Sequence, residues 1–187
     1  MVKMSKLILV TGGARSGKSG FAERYAAKLG GKIAYIATAE IYDEEMAARI
    51  RLHRASRPSF WQTYEAPFEA AKAIDEAAKE HDTILFDCLT VYASNQLLKA
   101  EEKSRAARFD KVMADISEVI NAALKSERNI IFVTNEVGAG IVPENALARE
   151  YRDLAGKINQ KFAKAAAEVY MVISGIAVNI KNLSVEL

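Results

Sequence analysis

Residues Gly12-Gly13-Ala14-Arg15-Ser16-Gly17-Lys18-Ser19 follow the spacing G-x-x-x-x-G-K-S. That spacing suits phosphate chemistry. Glycines let successive backbone N–H groups turn inward around phosphate oxygens. A helix starting here aims its positive end at the same anion. The Lys18 ammonium would reach the β and γ phosphates of a nucleotide, and the Ser19 hydroxyl would ligate Mg²⁺. Such a site needs a carboxylate at the end of a neighbouring strand. Asp87, which ends the run TILFD, is the natural candidate. Its other reading is a cap on the following helix.

A second group of residues could do chemistry on phosphorus. The stretch ARIRLHRASRPSF, residues 48–60, sets His53 among Arg49, Arg51, Arg54 and Arg57. Taken alone, His53 reads as a half-buried residue on an amphipathic helix, sharing a face with Met46, Arg49 and Ile50. The alternative is chemical. A neutral imidazole is nucleophilic near neutral pH, and nearby arginines lower its pKa by like-charge repulsion. The same arginines would neutralise phosphate oxygens during in-line attack. Attack on an α-phosphate would expel pyrophosphate and leave a nucleotidyl-histidine, splitting one transfer into two.

Other residues carry weaker signals. Glu65, in WQTYEAP, is a polar loop residue or a ligand to base or ribose. Asn135 and Glu136 follow the strand IIFVT, at the sheet edge where open α/β folds bind ligands. The glycine-punctuated NEVGAGIVPEN is an ordinary long loop or a cover over a substrate. Arg149, Arg152 and Asp153 either face the site or form surface pairs along one helix. His81, between a helix and a strand, reads as a residue without a chemical role, Cys88 as buried and inert, and Trp61 as core or lid.

These residues need elements to hold them. Short apolar strands are expected at 6–11, 32–38, 61–66, 83–88 and 129–135. Helices are expected after the phosphate loop and at 43–55, 67–80 (opening with Pro67), 109–125 and 144–168, with a short helix within 89–99. Residues 100–108 read as an exposed connection, and VYMVISG with IAVNIK as a C-terminal hairpin. Strands that are apolar throughout, alternating with helices, specify an α/β fold: a mostly parallel sheet flanked by helices on both faces.

Bulk properties bound the rest. A chain of 187 residues builds one domain, 1–187, with a real core. Lys+Arg is 26 and Asp+Glu is 24, so the net charge is +2. That argues against nucleic acid as a partner. No run approaches the roughly 20 apolar residues of a membrane span. The N-terminus lacks a signal-peptide pattern and the single cysteine excludes an intrachain disulfide, so a cytoplasmic location is expected.

Taken in order, LVTGGARSGKS, YIATAEIYDEEMAARIRLHRASRP, W-x-T-x-E-A-P, DCLTVYASNQLL and VTNEVGAGIVPENALAREYRDLAGKINQ resemble the bifunctional adenosylcobinamide kinase / adenosylcobinamide-phosphate guanylyltransferase family of cobalamin biosynthesis. The resemblance runs from about residue 7 to about residue 180. It implies a RecA-like P-loop NTPase fold, a homotrimer, and GTP, ATP and Mg²⁺ as ligands. The partners it implies are adenosylcobinamide and its phosphate. The family's H-x-x-x-R-P pattern falls on His53, Arg57 and Pro58, which makes His53 the guanylylated nucleophile. Its nucleotide contacts fall on Gly12 to Ser19, Ala37, Thr38, Ala39, Arg54, Ala55, Ser56, Arg57, Glu65 and Asp87. Leu52 stands where some members carry a second histidine, and Gln96 interrupts a run that is often Ser-Asn-Leu-Leu. The rival reading is a P-loop kinase of a small molecule without guanylyltransferase activity.

Overall fold

The computed structural model describes residues 5–40, 44, 58–101 and 104–185. The helix expected over 43–55 falls almost wholly outside them. So do His53, Arg54, Ala55, Ser56 and Arg57.

Seven strands form one sheet. They are β1 (Leu7–Gly12), β2 (Ile33–Ala37), β3 (Gln62–Glu65), β4 (Thr83–Asp87), β5 (Asn129–Val133), β6 (Glu168–Ile173) and β7 (Ile176–Asn179). Their order is β3-β2-β4-β5-β1-β6-β7. β1 to β6 are mutually parallel, and β7 returns antiparallel beside β6. Every residue of β1, β2 and β5 is buried. This explains their continuous apolar sequences: both faces are covered.

One face is covered by α1 (Lys18–Leu29), which packs Ala22 and Ala26 over Ile8, Val10, Tyr35, Leu85 and Val133. The other is covered by α2 (Ala70–Ala77), α3 (Leu89–Lys99), α4 (Arg105–Lys125) and α5 (Ala146–Ala165). There Phe86, Phe132 and Phe162 pack in a row as tilted rings, with centroids 5.1 and 4.6 Å apart.

Three boundaries differ from expectation. The helix expected from Pro67 begins at Ala70, because side chains and neighbouring strands capture the preceding residues. Ala66 N donates to Ala37 O at 2.8 Å, and Pro67 O accepts from Asn95 Nδ2 at 3.1 Å. The connection expected over 100–108 ends early. Ser104 caps α4 by accepting from Ala107 N, while Arg105 and Arg108 anchor its first turn to Asp153 and Glu150 on α5. Residues 89–99 form a single helix throughout. The C-terminal hairpin is present, its two-residue turn using Ser174 (φ 51°) and Gly175 (φ 82°). Two positive φ values are what a tight hairpin of right-handed twist requires.

At the amino end of the sheet, the Glu168 carboxylate accepts from Lys6 (2.7 Å), Tyr25 (2.5 Å) and Tyr170 (3.0 Å). Burial opposes its charge. The bonds from Lys6, Tyr25 and Tyr170 outweigh burial and hold its pKa below the ordinary 4.5. A carboxylate with a depressed folded pKa contributes stability that is fully present above its unfolded pKa and is lost as pH falls through the folded one. Urea midpoints measured from pH 6 downward should therefore fall more steeply below the ordinary 4.5 for the native chain than for Glu168→Gln. Equal slopes would remove this cluster from the account of acid stability.

Candidate active site

The site is built where β1 ends. Gly12 closes the strand, and residues 13–17 turn the chain into α1. The turn uses two left-handed residues, Arg15 at φ 57° and Gly17 at φ 92°. A glycine is required at 12 for another reason. A Cβ there would lie 2.4 Å from Val172 O and 2.6 Å from Ser16 Oγ. The hairpin turn supports the loop from below, Gly175 N donating to Ser16 O at 2.8 Å. On the other side Glu136 N donates to Gly12 O at 3.1 Å.

The loop's donors are free for a ligand. Among the described residues, the backbone N–H groups of Arg15, Gly17, Lys18 and Ser19 donate to no protein acceptor. Ser16 Oγ is buried without a partner. Such an array at a helix N-terminus is an anion cradle. Lys18 Nζ donates to Gly13 O at 3.1 Å, folded back over the loop. Burial holds its ammonium below the ordinary 10.5, against the pull of nearby Cys88 and Asp87.

Asp87 lies two strands away, with β5 between. It does not cap α3: the N-cap is Cys88, and no side chain caps that end. Its carboxylate instead accepts from Tyr35 Oη at 2.9 Å. Mg²⁺ prefers one or two carboxylates together with phosphate oxygens and water. Ser19 and Asp87 are hard oxygen donors of that kind. Among the described residues no cluster of three or more His, Cys, Asp or Glu could enclose a metal. Two such donors suit a metal that completes its shell with phosphate oxygens and water.

Of the other expected positions, Ala37, Thr38, Ala39 and Glu65 are described, and they lie along the same carboxyl edge of the sheet. Thr38 is fully buried and bonded on all sides: its Oγ1 donates to Cys88 O and accepts from Cys88 N, both at 2.9 Å. Its carbonyl accepts from Asn95 Nδ2 at 2.8 Å. Thr38 thus shapes the edge, while Ala39 beyond it is half-buried. Glu65 ends β3 at an open cavity of about 290 Å³ that Pro67, Glu69 and Lys72 help to line. Cys88 is buried and its thiol pushed up to about 11, chiefly by burial and then by Asp87, so it is inert at neutral pH. His81 is also buried, its Nδ1 3.0 Å from Ala77 O and its ring edge-on to Tyr64.

The structure gives Arg149, Arg152 and Asp153 a role neither sequence reading anticipated. Arg149 donates to Pro143 O (2.9 Å) and Glu144 O (2.6 Å), and Arg152 to Gly138 O (2.8 Å). They pin the loop after β5. Asp153 pairs with Arg105 on the neighbouring helix. Asn95 stands within DCLTVYASNQLL, where nothing local assigns it a role of its own. It is buried, and the one signal the sequence offered was a polar residue within the largely apolar run LTVYASNQLL.

A sheet in this order, with a phosphate loop after β1 and an acid closing β4, defines a P-loop NTPase of RecA-like fold. The solved structure of a prototypical ATPase from the type III secretion system of pathogenic bacteria superimposes with a TM-score of 0.57 at 12% identity, over 98% of this chain and 60% of that one. Residues 8–180 match the model of the cobinamide kinase / cobinamide phosphate guanyltransferase family, and the chain belongs to that family of enzymes. It is 44% identical to the bifunctional adenosylcobalamin biosynthesis protein CobU of Salmonella typhimurium and 42% identical to that of Escherichia coli. Each alignment covers 94% of this chain and 99% of the relative.

The contact at Gly12 yields a direct test. Gly12→Ala drives a methyl into the Val172 carbonyl and forces the loop to shift. It should therefore lower the melting temperature clearly and, at a temperature where circular dichroism shows the variant still folded, abolish nucleotide binding read by calorimetry with GTP. Unchanged GTP affinity would show that the loop does not hold phosphate in this conformation.

Proposed function

We propose that this chain is a bifunctional kinase and guanylyltransferase acting on adenosylcobinamide, built as one domain and working as a homotrimer. The observation that carries the reading is the open array of N–H donors around Lys18. The family membership selects the substrate.

In the first reaction the aminopropanol hydroxyl of adenosylcobinamide attacks the γ-phosphorus of ATP or GTP. The new O–P bond forms as the bond to the β,γ-bridging oxygen breaks. The nucleoside diphosphate leaves and the hydroxyl proton passes to solvent or a nearby base. The residue 13–19 backbone holds the phosphates in line, and Lys18 swings from Gly13 O to the β and γ oxygens. Partial burial makes that charge cheap to pair and strong in effect. Ser19 and Asp87 would hold Mg²⁺, which supplies further charge neutralisation on the phosphates.

In the second reaction an imidazole nitrogen of His53 attacks the α-phosphorus of GTP. The N–P bond forms and pyrophosphate leaves. A phosphate oxygen of adenosylcobinamide phosphate then attacks the same phosphorus. This frees His53 and creates the P–O–P linkage of adenosylcobinamide-GDP. Support for His53 comes from the H-x-x-x-R-P pattern, in which Arg54 and Arg57 flank the nucleophile with phosphate-binding charge. Glu65, at its cavity beyond β3, offers a carboxylate to the base or ribose. The Ala37–Ala39 segment provides the wall between them.

Mass spectrometry of products separates the two activities. The native chain, given adenosylcobinamide, GTP and Mg²⁺, should form the phosphate and then the GDP ester. His53→Ala should stop at the phosphate. Lys18→Ala should lower the first step by roughly 10²–10³-fold, as expected for loss of one strong transition-state donor. GDP ester from His53→Ala would overturn the histidine's role. A native chain that halts at the phosphate would favour the kinase-only reading.

A further inference from the structure

Three buried side-chain atoms lack a hydrogen-bond partner among the described residues: Thr11 Oγ1, Ser16 Oγ and Asn135 Oδ1. Asn135 is the informative one, because its surroundings fix where that oxygen must be. Its main chain is held on both sides. Thr134 N donates to Val10 O at 2.9 Å, and Glu136 N to Gly12 O at 3.1 Å. Its own carbonyl accepts from Asn159 Nδ2 at 3.0 Å. The segment therefore continues the pairing of β5 with β1 up to the first glycine of the phosphate loop.

Strand alternation sets the face. Ile131 and Val133 lie in the core under α1, so Asn135 projects to the α1 side. Leu85 lies in the same core, which puts Asp87 on that side too, and register aligns Asp87 with Val133. β5 runs between β4 and β1. The Asn135 carboxamide accordingly stands between Asp87 and the phosphate loop.

Its orientation is locked. Nδ2 donates to Thr90 Oγ1 at 3.0 Å. Thr90 is itself held by Cys88 Sγ (3.0 Å) and by Tyr151 Oη, which donates to Thr90 O at 3.2 Å. With Nδ2 engaged, Oδ1 remains as a buried acceptor in need of a donor. Phosphate oxygens cannot supply one, since they are acceptors themselves. Water on Mg²⁺ can, and Mg²⁺ keeps several waters when it binds through phosphates and one or two protein oxygens.

We propose that Asn135 is a positioning residue for the metal, its Oδ1 accepting from a magnesium-bound water beside Ser19 and Asp87. This rests on the nucleotide site proposed above and adds a third protein contact to it. The amide thereby couples the end of β5 to metal occupancy.

Calorimetry on the full chain tests it, using a GTP analogue with a methylene bridge between the α and β phosphorus atoms, which cannot guanylylate His53. Mg²⁺ should tighten analogue binding to the native chain. In Asn135→Ala that gain should shrink about tenfold, with metal-free affinity within about twofold of native, as for loss of a group that orients a metal's ligands. Asn135→Asp should recover the gain. Thr90→Val, which releases Nδ2 but keeps Asn135, should give a smaller loss of the same kind and serves if Asn135→Ala fails to fold. A full Mg²⁺ gain in Asn135→Ala overturns the proposal, and so does a loss that is equal with and without Mg²⁺. No binding of the analogue to the native chain would bring down the nucleotide site itself, and this proposal with it.

Discussion

The structure depends on a close approach at Gly12. The carbonyl of Val172 and the hydroxyl of Ser16 occupy the space where any other residue would carry its Cβ. That contact lets β6 run directly beneath the phosphate loop, and it lets Gly175 N reach Ser16 O. The C-terminal hairpin is therefore the floor under the phosphate loop. Glu136 closes the opposite wall through the Gly12 carbonyl. With floor and wall both made of backbone, the loop is held rigidly without using the donors that a phosphate needs. Preorganisation of this kind avoids reorganisation at the moment of reaction.

The same economy of side chains appears along the rest of the carboxyl edge. Asn95 bonds to two carbonyls from different segments, Thr38 and Pro67. Thr38 in turn locks to Cys88 through two bonds. These contacts tie the end of β2, the turn after β3 and the start of α3 into one unit. Glu65 and Asp87 lie on that unit, so their separation is set by buried hydrogen bonds and not by flexible loops. Arg149 and Arg152 do the same for the loop after β5 by holding its carbonyls. Arginines that the sequence left as site-facing or surface-paired are thus occupied in shaping this edge.

Much of this was legible beforehand, where the signal is local. The phosphate loop is a contiguous string, and the strands around it are apolar throughout because both faces of the sheet are covered. The place of Asp87 at the end of a buried strand was legible as well, since TILFD is an apolar run closed by an acid. What the sequence hid are contacts between distant residues. Asn95 and Thr38 are far apart in the chain, and nothing local marks either as a clamp. The hairpin turn at Gly175 reads as an ordinary tight turn, with no sign that a phosphate loop rests on it. Pro67 looked like a helix start because proline suits that position, but bonds from β2 and Asn95 hold the following turn out of the helix until Ala70. His53 is a different case. Its role is argued from pattern and chemistry, since the segment carrying it lies outside the described residues.

In the proposed cycle one phosphate loop serves two chemistries, separated by which phosphorus is attacked. Incubating the native chain with GTP labelled at either the α or the γ phosphorus, without corrinoid, tests it most directly. Only the α label should stay on the protein, labile to acid and stable to base, and it should map to the peptide containing His53. Absence of covalent label, retention of the γ label, or labelling that persists in His53→Ala would contradict it.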